Sequence, residues 1–522
     1  MSPPSLPSLA DARPLWRAPL AWLLGGGVAA VVARVLLSPV VMWDQAEQVV
    51  WSQTLAWGYG PQPPLYTWVQ WAVNQVLGPT VLALALVKFT LMGLTFVFMA
   101  LAARQVLPAR TAWLAALGMW WLPGMGWQVL RDLTHTVLLT CAVAATWWLL
   151  LRQVRAPRPA GFAWLGLALG VGVLSKYSYV LFAACALVAA LSLPAPRRAL
   201  CSRGWWLAPL VAAALVAPHA LWVLEHWQLA SGSTLDKLRP PDAASGWRGM
   251  LAGLKDLAVL LALVALPWAL MAVWAFGLRA WRTAAPDTPD TRPPPWAWPL
   301  LARYLLLVVA GLLAMVLLGR VSSFNGRWLH PLACVAPLAA LVWRPQAVSA
   351  LRGQRRYFVA VAAMALLMWS VSLLDPLNDA RRGRADRFNW PVAALADRLR
   401  AAGYDGTSPI IVNHHVIGGV LRMRFPGARL IVCVDDAPEG LACVRRAARA
   451  AEQAGQRWWL LTATAPAPPA EWWAAGQAAH GAALPVQTWD LPLRWAQPHT
   501  PRLRIDVVGL PGMAPAQPGE GV

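Results

Sequence analysis

The chain reads as an all-α polytopic membrane protein that ends in a small α/β domain. Three observations predict this. First, 58% of its 522 residues are hydrophobic and only 13% charged, with a mean hydropathy of +0.49. Second, apolar runs recur through the first three quarters of the chain, and about 20 residues suffice to cross a hydrocarbon core of ~30 Å. Third, beyond Asp375 the runs stop and short alternating segments take over.

Taken in order, the apolar runs predict eleven spans, near 18–42, 81–103, 111–129, 133–151, 160–175, 177–193, 205–223, 255–278, 303–319, 331–343 and 357–374. The first is too long for a signal-peptide core and has no convincing cleavage site, so it reads as an uncleaved anchor. The chain then divides into a cytoplasmic N-terminus (1–17), a membrane domain (18–375) whose first outer loop is 43–80, and a soluble extracytoplasmic domain (376–522). In that last part SPIIVNHHV, ARLIVCVD, RWWLLTAT and RLRIDVV read as strands. PVAALADRLRAAG and LACVRRAARAAEQAG read as helices, each ending near glycine. His414-His415 reads as a strand-end pair. The stretch APDTPDTRPPPWAWP is a proline-rich inner loop.

Orientation follows from the basic residues, which concentrate in cytoplasmic loops. With the N-terminus inside, eighteen arginines fall on the inner side, among them Arg13, Arg17, Arg110, Arg152, Arg197, Arg203 and Arg355. Only eight Lys or Arg fall outside. The formal charge of +21 is therefore largely a topology signal and excludes a nucleic-acid reading. The acids lie the other way: of ten before residue 375, seven are outside, including Asp44, Glu47 and Asp132. The six cysteines lack metal-ligand spacing; Cys433 and Cys443 can pair in an oxidising compartment.

The first outer loop, WDQAEQVVWSQTLAWGYGPQPPLYTW, contains no Lys or Arg. Asp44, Gln48 and Ser52 share one helix face, Gly58-Tyr59-Gly60 forms a break, and Pro63-Pro64 opens a second helix. Two interfacial helices are predicted, with Asp44 at the head of the first. As a structural residue Asp44 would cap that helix; as a functional one it is a carboxylate held at the membrane surface, where ionisable groups are costly. Lys88 lies inside the second span and needs either an anion or a polar core partner. Arg131 and Asp132 open the fourth span, and Lys176 separates the fifth from the sixth. SSFNGRWLHP, with Asn325, Arg327 and His330, is either a second functional segment or a capped polar loop.

Four stretches carry a resemblance. WDQAEQVVWSQTLAWGYGPQPPLYTW, VLRDLTHTVLLT, LGLALGVGVLSKYSYVLF and APHALWVLEHWQLASGS resemble, in order, segments of glycosyltransferase family 39, the polyprenyl-phosphate-sugar-dependent membrane enzymes. They cover about residues 20–235. The resemblance implies the C-type glycosyltransferase (GT-C) fold, a sugar donor carried on polyprenyl phosphate, inversion at the anomeric carbon, and transfer on the outer face of a bacterial inner membrane. By position Asp44 matches the family's catalytic acid, Asp132 its second-loop acid, and Lys176 the lysine closing its glycine-rich run. The family usually shows Asp-Glu where this chain has Asp44-Gln45.

Glycosyl transfer needs a base for the acceptor hydroxyl and cations for the departing phosphate. Asp44 is assigned as base, with Asp132 orienting the acceptor or tuning Asp44. Lys88, Arg131, Lys176 and Arg327 are assigned to the donor phosphate. Glu47, Trp51, Tyr66, His135, Asn325 and His330 are candidate acceptor or sugar contacts. The expected partners are a polyprenyl-phosphate-linked sugar, a lipid, glycan or protein acceptor of the envelope, and the bilayer, with no nucleic acid. No metal ligand set is indicated, and a divalent metal is left open. The rival reading is a sugar-lipid flippase, which would share the spans and the lipid groove but break no bond; the absence of an internal repeat weighs against it.

Overall fold

The structure is a computed structural model describing residues 13–230, 246–282, 292–318, 321–324, 326–384, 386–434, 438–463, 470–480, 485–495 and 502–509. It forms two compact units. One comprises residues 1–29, 56–66 and 88–369, the other residues 30–55, 67–87 and 370–522.

Among the described residues seven helices are long and apolar enough to cross a membrane: Ala18–Leu37, Val81–Ala103, His135–Arg155, Leu207–Glu225, Gly246–Phe276, Ala297–Leu317 and Leu351–Arg381. An eighth is counted if Tyr179–Leu191 and Pro194–Leu200, bent by 112°, form one broken span. The chain is thus a multi-pass membrane protein. The other expected spans are present as shorter or interrupted helices. Pro159–Ser175 is a 17-residue helix. The segment expected at 331–343 consists of two helices, Gly326–Ala333 and Ala336–Trp343, separated at Cys334-Val335.

The segment expected at 111–129 is a composite. An α-helix, Ala109–Leu117, tightens into a 3₁₀ turn at Gly118–Trp121 and then widens into a π turn at Gly124–Gln128. One short turn, Val129–Arg131, ends it. Pro123 explains the break, because it lacks the N–H that would continue the first helix. Wide π turns of this kind occur preferentially at functional sites.

In the second unit a five-stranded sheet holds β1 (Ile410–Val412), β2 (Leu430–Val432), β3 (Trp459–Ala463), β4 (Gln487–Pro492) and β5 (Arg502–Gly509), in the order β2-β1-β3-β5-β4. β1 pairs in parallel with β2 and β3, whereas β5 runs antiparallel to β3 and β4. The helices His415–Arg424 and Pro438–Gln453 make the two parallel crossovers. One face of the sheet buries Ile410, Val412, Ile417, Leu421, Leu461 and Ile505. The other buries Ile411, Val444, Ala448, Leu460, Trp472 and Val508. Cys433 and Cys443 form a disulfide beside β2.

Candidate active site

In the first unit the candidate residues gather where the composite segment meets the helix His135–Arg155. Asp132 ends the short turn with φ −135° and ψ −131°. Leu133 follows at φ +50°, fully buried. That conformation is costly for a bulky L-residue, on the order of 1–3 kcal/mol, and persists only where the surroundings impose it. It separates the two groups of Asp132. The backbone carbonyl accepts a hydrogen bond from Lys88 Nζ at 2.9 Å, and the carboxylate Oδ2 faces Arg327 Nη2 at 3.4 Å. Lys88 is fully buried and Asp132 nearly so, whereas the Arg327 side chain is 34% exposed. Arg131, half-buried, closes the short turn next to Asp132.

Lys176 lies just past the C-terminus of the helix Pro159–Ser175, in extended backbone, and its Nζ donates to Thr136 Oγ1 at 3.0 Å. The neighbouring carbonyl of Ser175 lies 3.3 Å from His135 Nδ1. The Tyr66 ring stands 5.5 Å from the His135 ring. One turn further along, Thr140 Oγ1 lies 3.4 Å from His330 Nε2. Asp132, His135, Thr136, Lys176, Arg327 and His330 therefore converge on the first turns of one helix. Asn325, also expected there, lies outside the described residues.

The turn after the first loop helix is anchored in the same unit. His219 Nδ1 meets the Trp57 carbonyl at 2.6 Å and its Nε2 meets the Tyr177 hydroxyl at 3.2 Å. Gly58 lies against the face of Trp222, where no Cβ would fit. These bonds give His219 a structural role.

Asp44 belongs to the second unit. Its helix, Trp43–Trp51, is capped by Met42 without a side-chain bond, so Asp44 is not the cap residue. It sits half-buried in the first turn, where the helix dipole favours a carboxylate. Gln48 and Ser52, on the same face, are tied to the second loop helix, Leu65–Leu77: Thr67 Oγ1 donates to Gln48 Oε1 at 2.8 Å and Asn74 Nδ2 to Ser52 Oγ at 2.9 Å. Glu47 Oε1 accepts from Trp43 Nε1 at 2.8 Å. Gln45 turns inward, where its Oε1 accepts from Arg34 Nη2 at 3.3 Å. Arg34 also donates to the carbonyls of Ser38 and Val40 and lies over the Phe388 ring.

The opposite face of this helix rests on the helix His415–Arg424. Ala46, Val49, Val416 and Val420 form one buried cluster. A Cβ at Gly419 would stand 2.8 Å from both the Cα and the Cβ of Ala46, so glycine permits the approach. Trp43 packs edge-on against His414, with centroids 4.7 Å apart, and Trp51 against His415 at 6.0 Å. His414 caps its helix, its Nδ1 accepting from Val416 N at 3.1 Å. Burial pushes both imidazoles down to about 4. Gln53 bonds the edge of β2 twice, donating to the Leu430 carbonyl and accepting from its amide, each at 2.9 Å. No local sequence signal marks His414, His415 or Gly419 as partners of the first loop, because they lie some 370 residues away in the chain.

A family model described as dolichyl-phosphate-mannose-protein mannosyltransferase matches residues 61–222. Lipopolysaccharide core galacturonosyltransferase RgtB of Rhizobium johnstonii is 30% identical over 408 residues, covering 77% of this chain and 80% of that one. RgtA of the same organism is 31% identical over 410 residues, covering 77% and 79%. The chain belongs to glycosyltransferase family 39. It is a membrane glycosyltransferase, and the flippase reading is set aside. The crystal structure of ArnT from Cupriavidus metallidurans bound to undecaprenyl phosphate aligns with a TM-score of 0.60 at 16% identity, covering 95% of this chain and 99% of that one. At that identity the match establishes the GT-C fold.

In this family 39 member, among the described residues, the acids close enough together to hold a cation are Asp375, Asp379 and Asp386, which belong to the second unit. Asp386 Oδ1 is already engaged by the Phe388 amide, and Arg384 lies 4.0 Å from Asp379.

Proposed function

We propose that this enzyme transfers a uronic acid of the galacturonosyl type from polyprenyl phosphate to a lipopolysaccharide-class glycolipid at the outer face of a bacterial inner membrane. The RgtA and RgtB relatives, named for galacturonosyl transfer to the lipopolysaccharide core, support the sugar and the acceptor class. Topology is argued from two observations. The arginine asymmetry favours a cytoplasmic N-terminus. The Cys433–Cys443 disulfide favours an oxidising, extracytoplasmic location for residues 376–522.

The observation that carries the reading is the fixed charge around Asp132. Lys88 and Arg327 address its carbonyl and its carboxylate, and Lys176 donates to Thr136 on the helical turn that follows. Positive groups held rigidly in a water-poor site stabilise charge developing on a leaving group without reorganising. In the step, the acceptor hydroxyl oxygen attacks the sugar's anomeric carbon and the bond from that carbon to the phosphate oxygen breaks. The polyprenyl phosphate departs with the bonding pair, and Asp44 takes the hydroxyl proton. Attack opposite the leaving group inverts the anomeric centre. Lys88, Arg131, Lys176 and Arg327 receive the phosphate, and Asp132 holds Arg327 in place. Glu47, Trp51, Tyr66, His135 and His330 are the candidate contacts for the sugar or the acceptor.

The test uses purified protein, a polyprenyl-phosphate galacturonosyl donor and a lipopolysaccharide core acceptor. Asp44→Asn keeps size and hydrogen bonding but removes the base, and transfer should fall by about 10²–10⁴-fold. Wild-type turnover in a folded Asp44→Asn protein would remove Asp44 from the mechanism. Transfer of other sugars in preference to the uronic acid would overturn the donor assignment alone.

A further inference from the structure

In the first unit the starting ends of three helices leave a cavity of about 680 Å³ between them. These are Arg13–Leu37, Ala109–Leu117 and Leu351–Arg381. Their packing is defined: Tyr357 donates to the Leu114 carbonyl at 3.0 Å, and Trp22 stands edge-on to Trp120 at 6.4 Å. The volume lies within the usual range for small-molecule sites, about 300–1,000 Å³.

The lining is polarised along the helix axes. Arg110 is the second residue of its helix and Arg355 the fifth of its own, with Gln354 beside it. Beyond them the wall is apolar, formed by Trp113, Leu117, Phe358 and Ala362. From Arg110 to Leu117, and equally from Arg355 to Ala362, is seven residues, about 10 Å at 1.5 Å rise per residue. The cavity thus presents two guanidinium groups at one end and a hydrocarbon-like slot running about two turns away from them. Both arginines are exposed, and among the described residues neither forms an ion pair with a carboxylate.

We propose that this cavity binds an anionic phospholipid of the inner leaflet, its phosphate on Arg110 and Arg355 and an acyl chain along Trp113, Leu117 and Phe358. Arginine pairs suit phosphate, which accepts two N–H bonds from a planar guanidinium. Basic pockets between spans on the cytoplasmic side are recurrent headgroup sites, and that leaflet is the anionic one. The assignment to that leaflet rests on the cytoplasmic placement of the N-terminus argued above. The same placement puts Arg131 and Lys176 at the opposite ends of the spans, which distinguishes this site from that of the donor.

The experiment is native mass spectrometry of the full chain in detergent, titrated with phosphatidylglycerol or phosphatidylcholine of identical acyl chains. It reads lipid retention and depends on neither the donor sugar nor the catalytic base. Wild type should retain one phosphatidylglycerol with at least about a tenfold preference over phosphatidylcholine, as expected for two charge-assisted contacts. Arg110→Gln with Arg355→Gln should bring the preference to about twofold or less. Ala362→Leu, which fills the slot, should lower retention of both lipids. The proposal is overturned if the double variant keeps the wild-type preference, or if Ala362→Leu leaves retention unchanged. It is equally overturned if undecaprenyl phosphate displaces phosphatidylglycerol at equal concentration, since the cavity would then belong to the donor's carrier.

Discussion

Adding one methyl group at Gly419 should slow transfer without touching any reacting atom. A Cβ there would sit 2.8 Å from Ala46 Cα and 2.8 Å from Ala46 Cβ. Carbon atoms pack best at about 3.5–4.0 Å, so one of the two helices must retreat by about 1 Å. The helix His415–Arg424 cannot easily do so: Ile417 and Leu421 are buried against the sheet, and Gly418 abuts Val412 and Val432. The helix Trp43–Trp51, which carries Asp44, is the one that shifts. Overpacking of this kind costs about 1–3 kcal/mol. A displacement of 1 Å in a reacting group costs about 10²-fold in rate. Gly419→Ala should therefore lower kcat by one to two orders of magnitude with the donor KM little changed, and lower the melting temperature by a few degrees. Gly427→Ala is the control, since its Cβ would approach nothing closer than 3.4 Å. Steady-state transfer assays and a thermal melt read both effects. Wild-type kcat in Gly419→Ala, at any stability, would show that the docked helix does not set the position of the base.

Removing the carboxylate's partner with Arg327→Ala should reduce transfer by about 10²-fold, measured as kcat with saturating donor. Replacing Gln45 by Glu should place a carboxylate on Arg34 and leave activity within a factor of a few, read by the same assay and by chemical denaturation. Cys433→Ser with Cys443→Ser opens a loop closed at a sequence separation of 10 and should cost about 3 kcal/mol of domain stability by the chain-entropy relation, checked by denaturant unfolding. His414 and His415 titrate near 4 when folded against about 6.5 when unfolded, so the unfolded chain binds protons first on acidification. Their contribution is complete above about 6.5 and is lost as the pH falls from there to about 4, which a pH series of melts on His414→Phe/His415→Phe and wild type will reveal as a shallower acid limb in the variant.

The long spans and both helices of the first loop were legible because their signal is local and periodic. Val81–Ala103 and Leu65–Leu77 begin where the hydropathy and the prolines say they should. The composite segment 109–131 was not legible as such, because hydropathy counts apolar residues and does not see a turn widened at Gly124. β4 escaped because QTWDLP is polar and ends in proline: it is an edge strand with only Trp489 and Leu491 buried. The helix His415–Arg424 was hidden inside what reads as a strand, since His414 ends the extended run by capping a helix. At the site the residue types were legible and the partners were not. Lys88 was expected to meet either an anion or a polar core partner, and the contact described is of the second kind, the backbone carbonyl of Asp132, which no spacing in the sequence singles out.

The departure from the family's Asp-Glu pair bears on how much chemistry Asp44 must do alone. A glutamate at position 45 invites the idea of a second catalytic acid. Here the residue at that position points away from solvent: Gln45 is 1% exposed and its oxygen is held by Arg34. Arg34 is itself fixed by the carbonyls of Ser38 and Val40 and by the Phe388 ring. A neutral amide serves this network because backbone dipoles already address the guanidinium, and an added buried charge would bring its own desolvation cost. Position 45 is thus a strut between the end of the first span and the acid-bearing helix. The proposed role of Asp44 therefore does not depend on a carboxylate at position 45.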